Sequence, residues 1–329
     1  MGKLLNSLFG LLRPDSTAKR DAPAERTPPA QIPYAHMAPE LCMLPKDGPS
    51  IAEWADAHRH ISPLQIDAQR NVVQFKADGI RALYIDGRIV SREGAPLDCA
   101  LHCTPGLARL EAAIGLGPLF IEGEYVAEDG FEATLAEHKK GEGQGVFWIF
   151  DMMPLIDWQS GRSNIVVQER LEFLVTMVNE HCDSNFVGAL NYWVLTREET
   201  LAKAREIWAE GGEGVVVKRW NSSYERKRSD AWLRLKQVHT VDAMIVDMHG
   251  RPDGTLKRMV LRADEETLMV GTGWKKDEGK RLLSQFAGGA LGSASNSWAE
   301  ISFQRTTGAK RSIRGARFVR LRDAKGTKA

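Results

Sequence analysis

The sequence predicts an α+β domain followed by a small β-barrel of OB type. Three observations lead there. Short apolar or alternating runs bounded by Gly, Asp and Asn recur through the first two thirds of the chain, interleaved with a few helical stretches. The composition changes near Gln237–Thr240. Beyond that point, about ninety residues carry short strands joined by Gly-rich turns, the pattern of a compact barrel.

The opening segment, MGKLLNSLFGLLRP, has apolar residues near helical spacing. It is too short to span a bilayer, and no small-residue cleavage site follows it. Pro14 to Pro33 is rich in Ala, Pro, Thr and charge, so residues 1–33 read as a flexible tail and linker. The first folded domain is expected over residues 34–238. Within it NVVQFKA, IRALYIDGRIV, LFIEGEYVA, GVFWIFDMM, GVVVKRW and WLRLKQV read as strands, with a hairpin at Asp86 and Gly87. IAEWADAHRHI, VVQERLEFLVTMVNEH and REETLAKAREIWAEG read as helices. The last opens at Thr196, with Glu199 three residues on, and stops at Gly211 and Gly212. The second domain is expected over residues 239–329. Its strands are DAMIVDMHG, KRMVLRAD, TLMVGTG, SWAEISFQR and ARFVRLRD, interrupted by a helix at KDEGKRLLSQFA.

Composition narrows the function classes. With 43% hydrophobic and 26% charged residues, the 329-residue chain is neither disordered nor collagen-like. No apolar run is long enough for a membrane span. The 44 basic and 43 acidic residues exclude a uniformly basic coat but permit a local stripe. Residues 119–142 hold seven acids and two lysines, read as an acidic strand pair, whereas residues 305–329 hold nine Lys or Arg and one Asp. Cys42, Cys99, Cys103 and Cys182 lack CxxC spacing and zinc-finger histidines. Neither a structural zinc nor a disulfide scaffold is expected, and a reducing cytoplasm fits.

The sharpest local signal is KADGIR, Lys76 to Arg81, directly after a strand. A free lysine has a pKa of roughly 10.4. Fixed cations beside it make the neutral, nucleophilic amine available. Arg81 is one such cation and forks onto phosphate oxygens. Gly79 permits a sharp turn and the close approach of a ligand. Five further segments follow in order: SREG with Arg92, IEGEYV with Glu122 and Glu124 on one strand side, VFWIFD ending in Phe150 and Asp151, EGVVVK from Glu213 to Lys218, and SDAWLRLK. The last alternates Trp232, Arg234 and Lys236 on one face.

Taken together these blocks resemble the nucleotidyltransferase superfamily of ATP-dependent polynucleotide ligases and mRNA capping enzymes, with small bacteriophage-type ATP-dependent DNA ligases the nearest in pattern. The resemblance covers residues 65–325. A sixth block, RGARFVRLRDAK from Arg314 to Lys325, is similar to the final ligase motif of the OB domain. The resemblance implies an ATP-grasp-like adenylation domain over 34–238, an OB-fold over 239–329, and a hinge near Gln237–Asp242. It implies ATP and Mg²⁺, with Mn²⁺ as the substitute metal, and a monomer acting on nicked double-stranded DNA in replication, repair or recombination. Lys76 is then the adenylated nucleophile, and Arg81 holds the sugar–phosphate end of the nucleotide. Arg92 grips the 5′-phosphate of the nick. Glu124 contacts the ribose and, with Glu213, the metal. Phe150 stacks on adenine, Val216 covers its other face, and Gln74 reads the amino group. Lys218, Arg234 and Lys236 neutralise phosphates. Arg226, Lys227, Arg314 and Arg317, with Arg219, Arg228, Lys310 and Arg311, follow the DNA backbone.

The chain departs from the family pattern at Arg234, where Lys is common, at Glu122, where Asp is commoner, and at Gln74, where related enzymes often have Glu. Ala316 and Ala324 replace a common Pro and Asp, which bears on how Lys325 is oriented toward pyrophosphate. Capping enzymes share the lysine turn, but SREG and EGVVVK are DNA-ligase forms. RNA ligases usually lack the final block. NAD-dependent ligases carry a nicotinamide module and a cysteine zinc site. A catalytically dead OB protein that binds nucleic acid would not need an intact KADGIR.

Overall fold

The computed structural model describes residues 42–47, 70–263, 266–292, 296–303, 305–307 and 312–322. The expected tail over 1–33 and the expected helix at IAEWADAHRHI lie outside these. The chain divides into two compact units between Leu235 and Lys236.

The first unit carries β1 (Leu44–Asp47), β2 (Asn71–Phe75), β3 (Ile80–Ile85), β4 (Arg88–Ser91), β5 (Leu119–Val126), β6 (Val146–Pro154), β7 (Arg162–Ser163), β8 (Val187–Ala189), β9 (Tyr192–Leu195), β10 (Gly214–Arg219), β11 (Tyr224–Glu225) and β12 (Arg228–Lys236). Helices α1 (Thr104–Ile114), α2 (Phe131–Lys140), α3 (Leu155–Gln159), α4 (Val167–His181) and α5 (Arg197–Ala209) lie between them. Two five-stranded sheets form, in the orders β1-β12-β10-β2-β9 and β4-β3-β5-β6-β8. The period of two explains the layering. Val73, Val215, Val217, Leu233 and Leu235 pack on Ala204, Ile207 and Trp208 of α5. On the second sheet Ala82, Tyr84, Ile121, Tyr125, Phe147 and Ile149 pack toward α1 and α4. The remaining faces share one core, in which Leu83, Phe120, Phe150 and Trp232 meet. Burying side chains of that size contributes roughly 1.5–3 kcal/mol each. Arg81, Glu122, Gln74 and Lys218 alternate with the helix-facing residues, so they face this inter-sheet layer.

Two local readings hold in detail. The β3–β4 hairpin turns at Asp86 and Gly87 with φ of 48° and 74°, the conformation a tight two-residue hairpin requires. Thr196 caps α5: its hydroxyl accepts from Glu199 N at 3.2 Å while Glu199 Oε2 accepts from Thr196 N at 2.8 Å. The acidic stretch 119–142 is not a strand pair, however. It is β5 followed by helix α2, because the chain turns at Gly130 (φ 87°) and Thr134 Oγ1 donates to Gly130 O and accepts from Ala127 N. Helix α1, which opens with a proline in its first turn, was also not expected.

The second unit carries β13 (His239–Gly250), β14 (Leu256–Ala263), β15 (Glu266–Val270), α6 (Lys276–Ala287), β16 (Trp298–Phe303), β17 (Arg305–Thr307), β18 (Ser312–Arg314) and β19 (Arg317–Arg322). One sheet runs β15-β14-β13-β16-β19, with Leu282 of α6 in its core. Its two edges are tied by Phe318 N donating to Thr272 O at 3.0 Å. That approach needs Gly273, where a Cβ would fall 2.2 Å from Phe318 O. The segment Gln237–Asp242, expected to be a hinge, is mostly strand: β12 ends at Lys236, β13 begins at His239, and Asp242 pairs with Glu300. Among the described residues no helix is long and apolar enough to cross a membrane.

Candidate active site

The site lies on the facing sides of the two sheets. Strand β2 delivers Lys76 one residue past its end, and Lys76 N is held by Gly214 O at 2.9 Å. Glu213 immediately precedes β10, the antiparallel neighbour of β2, so amine and carboxylate meet: Lys76 Nζ is 2.7 Å from Glu213 Oε2. A fixed cation is expected near this amine; the hydrogen-bond partner the structure gives it is a carboxylate. The turn then passes over β5. A Cβ at Gly79 would fall 2.2 Å from Tyr125 O, so glycine is required for Gly79 N to reach Glu124 Oε1 at 3.2 Å.

Arg81 pairs in register with Glu124 across β3 and β5, yet its guanidinium runs diagonally to Glu122. Its Nε donates at 3.0 Å and its Nη2 also pairs with the same oxygen, while Nη2 donates to Met43 O at 2.8 Å. Glu122 is completely buried and accepts from Tyr224 OH at 3.1 Å. Arg81 lies over the Phe150 ring, 4.8 Å from its centroid. Burial pushes the Glu124 carboxyl up to about 7, against the opposing pull of Lys76 and Arg81 and with a further push from Glu213. The charges of Lys76 and Glu213 therefore both bear on Glu124.

Gln74 is buried; its Nε2 donates to Leu190 O at 3.1 Å, which leaves the amide oxygen as the accepting atom. Val216 pairs with Gln74 across β10 and β2 and is half-buried on the inner face. Arg234 and Lys236 share the inner face of β12 with Trp232 and are half-buried.

Lys218 differs from its expected role. It is 1% exposed, donates to Phe150 O at 2.8 Å, lies 3.7 Å from Asp151 Oδ2 and sits 4.1 Å from the centroid of the Trp232 ring. Burial pulls its ammonium down to about 8, with Asp151 opposing. An ammonium placed this way is joined to the backbone of β6 and lies beside the Asp151 carboxylate.

The DNA-facing residues divide. Arg92 is exposed and pairs with Glu93 at 2.6 Å. Lys227 pairs with Glu225 at 2.8 Å, and Arg226 stacks on Trp158 at 4.9 Å. Arg317 is exposed on β19. In the same strip, Arg320 and Arg322 are taken up by Glu300 at 2.6 and 3.0 Å, with Arg322 also on Asp242. Among the described residues of the strip, these two arginines are therefore locally neutralised. Lys310, Arg311, Lys325 and the side chain of Arg314 lie outside the described residues.

The residues that sequence reasoning missed are Asp151 and Arg170. Arg170 Nε and Nη2 donate to the two Asp151 oxygens at 2.7 and 2.9 Å, with both side chains buried. A signal existed. In α4 the buried positions are Val167, Arg170, Leu171, Leu174 and Val178, so a cation interrupts an apolar stripe and demands a buried anion.

Comparison with known proteins adds the following. The family profile described as "ATP dependent DNA ligase domain" matches residues 49–236, more than half of the chain. The chain is 25% identical over 251 residues to the multifunctional non-homologous end joining protein LigD of Pseudomonas aeruginosa, covering 75% of this chain and 26% of that protein. It is 24% identical over 218 residues to a DNA ligase of Haemophilus influenzae, covering 63% of this chain and 74% of the relative. A solved structure from a study of Lig E DNA ligases, titled "DNA binding with a minimal scaffold", superposes with a TM-score of 0.62 at 21% identity, covering 85% of this chain and 98% of that one. The chain thus has the nucleotidyltransferase and OB-fold domains of these neighbours.

Proposed function

The chain belongs to the family of ATP-dependent DNA ligase domains, and from that premise we propose that it seals 5′-phosphate/3′-hydroxyl nicks in duplex DNA through a lysyl-AMP intermediate. The observation that carries the reading is the Lys76 amine held 2.7 Å from the Glu213 carboxylate, beside Glu124 and facing the strand of Arg81. In the first step Lys76 Nζ attacks the α-phosphorus of ATP. A P–N bond forms, the P–O bond to pyrophosphate breaks, and Glu213 accepts the proton lost by the amine. An oxygen of the DNA 5′-phosphate, held by Arg92, then attacks the AMP phosphorus: a P–O–P bond forms as the P–N bond breaks and Lys76 regains a proton. The 3′-hydroxyl next attacks the 5′-phosphorus, giving up its proton as the phosphodiester forms and AMP leaves. Each step is displacement at phosphorus, so positioning and charge neutralisation dominate.

The residues fit a purine nucleotide. Phe150 offers a ring, Val216 an apolar surface, and Gln74 an accepting oxygen. Arg81 supplies a fixed fork for the sugar–phosphate end, and Arg234 and Lys236 add phosphate charge. Glu124 and Glu213 are hard oxygen donors suited to Mg²⁺ or Mn²⁺, which neutralises developing phosphate charge when bound. Arg226, Lys227, Arg314 and Arg317 follow the DNA backbone without reading bases. The protein acts as a cytoplasmic monomer in replication, repair or recombination.

The test is incubation with α-labelled ATP and Mg²⁺, then a denaturing gel. A covalent label that disappears in Lys76→Ala supports the reading, and its absence from the wild type ends it. Parallel reactions with nicked DNA, nicked RNA and labelled GTP separate a DNA ligase from an RNA ligase or a capping enzyme.

A further inference from the structure

Strand β6 is irregular where it carries Phe150. Opposite β5, Glu122 pairs with Asp151 and Gly123 with Ile149, so Phe150 is the extra residue of a bulge. The alternation of faces changes there. Before the bulge Phe147 and Ile149 face the helices; after it Met152 does. A bulge leaves backbone groups outside the regular ladder, and a buried carbonyl needs a donor. The Phe150 carbonyl has Lys218 Nζ at 2.8 Å. The same ammonium lies 5.3 Å from the centroid of the Phe150 ring and 4.1 Å from that of Trp232. Asp151, the next residue, is gripped through both oxygens by Arg170. The two residues at the irregularity are therefore each held by a cation from a different element, Lys218 of β10 and Arg170 of α4.

We propose that Lys218 is a positioning residue: with the Asp151–Arg170 pair it fixes the β6 bulge and so aims the Phe150 ring into the nucleotide site. The proposal rests on the reading of Phe150 as the ring that stacks on adenine. It gives the lysine of EGVVVK a role different from phosphate neutralisation, and it accounts for a cation buried against a backbone carbonyl.

Lys218→Met leaves Asp151 and Arg170 as a balanced ion pair, so the fold is expected to survive. Loss of base stacking then raises the KM for ATP in self-adenylation by roughly tenfold, with the rate at saturating ATP little changed. The double variant Lys218→Met/Phe150→Ala binds ATP no more weakly than Phe150→Ala alone, because both changes remove one interaction. A Lys218→Met protein with wild-type KM overturns the proposal, as do effects that multiply in the double variant. Lys218→Gln keeps a donor but no charge, and it supplies the same cycle should the Met variant unfold. It is expected nearer to wild type than Met, and equal loss with both would assign the effect to charge and overturn the proposal. Calorimetric ATP binding by the same variants decides Lys218 separately from the covalent label, whose absence from the wild type would overturn only the ligase reading.

Discussion

The ammonium of Lys76 and the carboxylate of Glu213 are joined at 2.7 Å across 137 residues of sequence. One sits just past the end of β2 and the other just before its neighbour β10, so antiparallel pairing of two strands brings the proposed nucleophile and proton acceptor together. Glu213→Gln keeps the shape and removes the acceptor. Its rate of lysine labelling at saturating ATP should fall by roughly a hundredfold. Single-turnover labelling measures this, and an unchanged rate would show that the amine does not depend on Glu213.

Glu124 sets a pH dependence. Burial raises its folded value to about 7. Below that pH the folded protein holds it neutral; above it, charged. Mg²⁺ binding, for which Glu124 is a proposed ligand, strengthens as pH rises through about 7, and Glu124→Gln should lack that inflection in metal affinity. Stability runs the other way. The folded state holds this proton more tightly than the unfolded one, so the stabilisation is complete below the unfolded value and lost as pH rises through about 7. The melting temperature of Glu124→Gln should therefore gain on wild type on the alkaline side of that window, but not on the acid side.

The Asp151–Arg170 pair is buried and bidentate. Arg170→Met leaves Asp151 without its main partner and should cost about 3–5 kcal/mol in denaturant unfolding. Arg170→Met/Asp151→Asn removes the charge and its partner together and should recover part of that loss. Equal destabilisation by the single and double variants would contradict the account.

Arg92 and Arg317 are exposed on different units. Arg92→Ala should leave lysine labelling intact while stopping AMP transfer to nicked DNA. Arg317→Ala should retain sealing at low salt and reduce the slope of log affinity against log salt by about 0.9. A slope that does not move would remove Arg317 from the DNA contact.

Much of this was legible before any coordinates. The period-two strands, the Asp86–Gly87 hairpin, the Thr196 cap and helix α6 are local features, set by side-chain alternation and by residues a few positions apart. The ordered motifs named Lys76, Arg81, Glu124, Phe150 and Glu213 because their chemistry is written in short segments. Helix α2 escaped because its acids resembled those of the strand before it, and only the turn at Gly130 separates them.

What tertiary structure alone decided was which charges face which. The family resemblance implies a place for Lys218 among the phosphate-binding cations; packing of two sheets buries it against Phe150 and Asp151. Arg320 and Arg322 counted toward a basic strip until Glu300 on the adjoining strand took them up. The reason is physical: a residue's charge is local, but its desolvation and its partner depend on elements far away in the chain, and these determine whether the charge is free to meet a ligand.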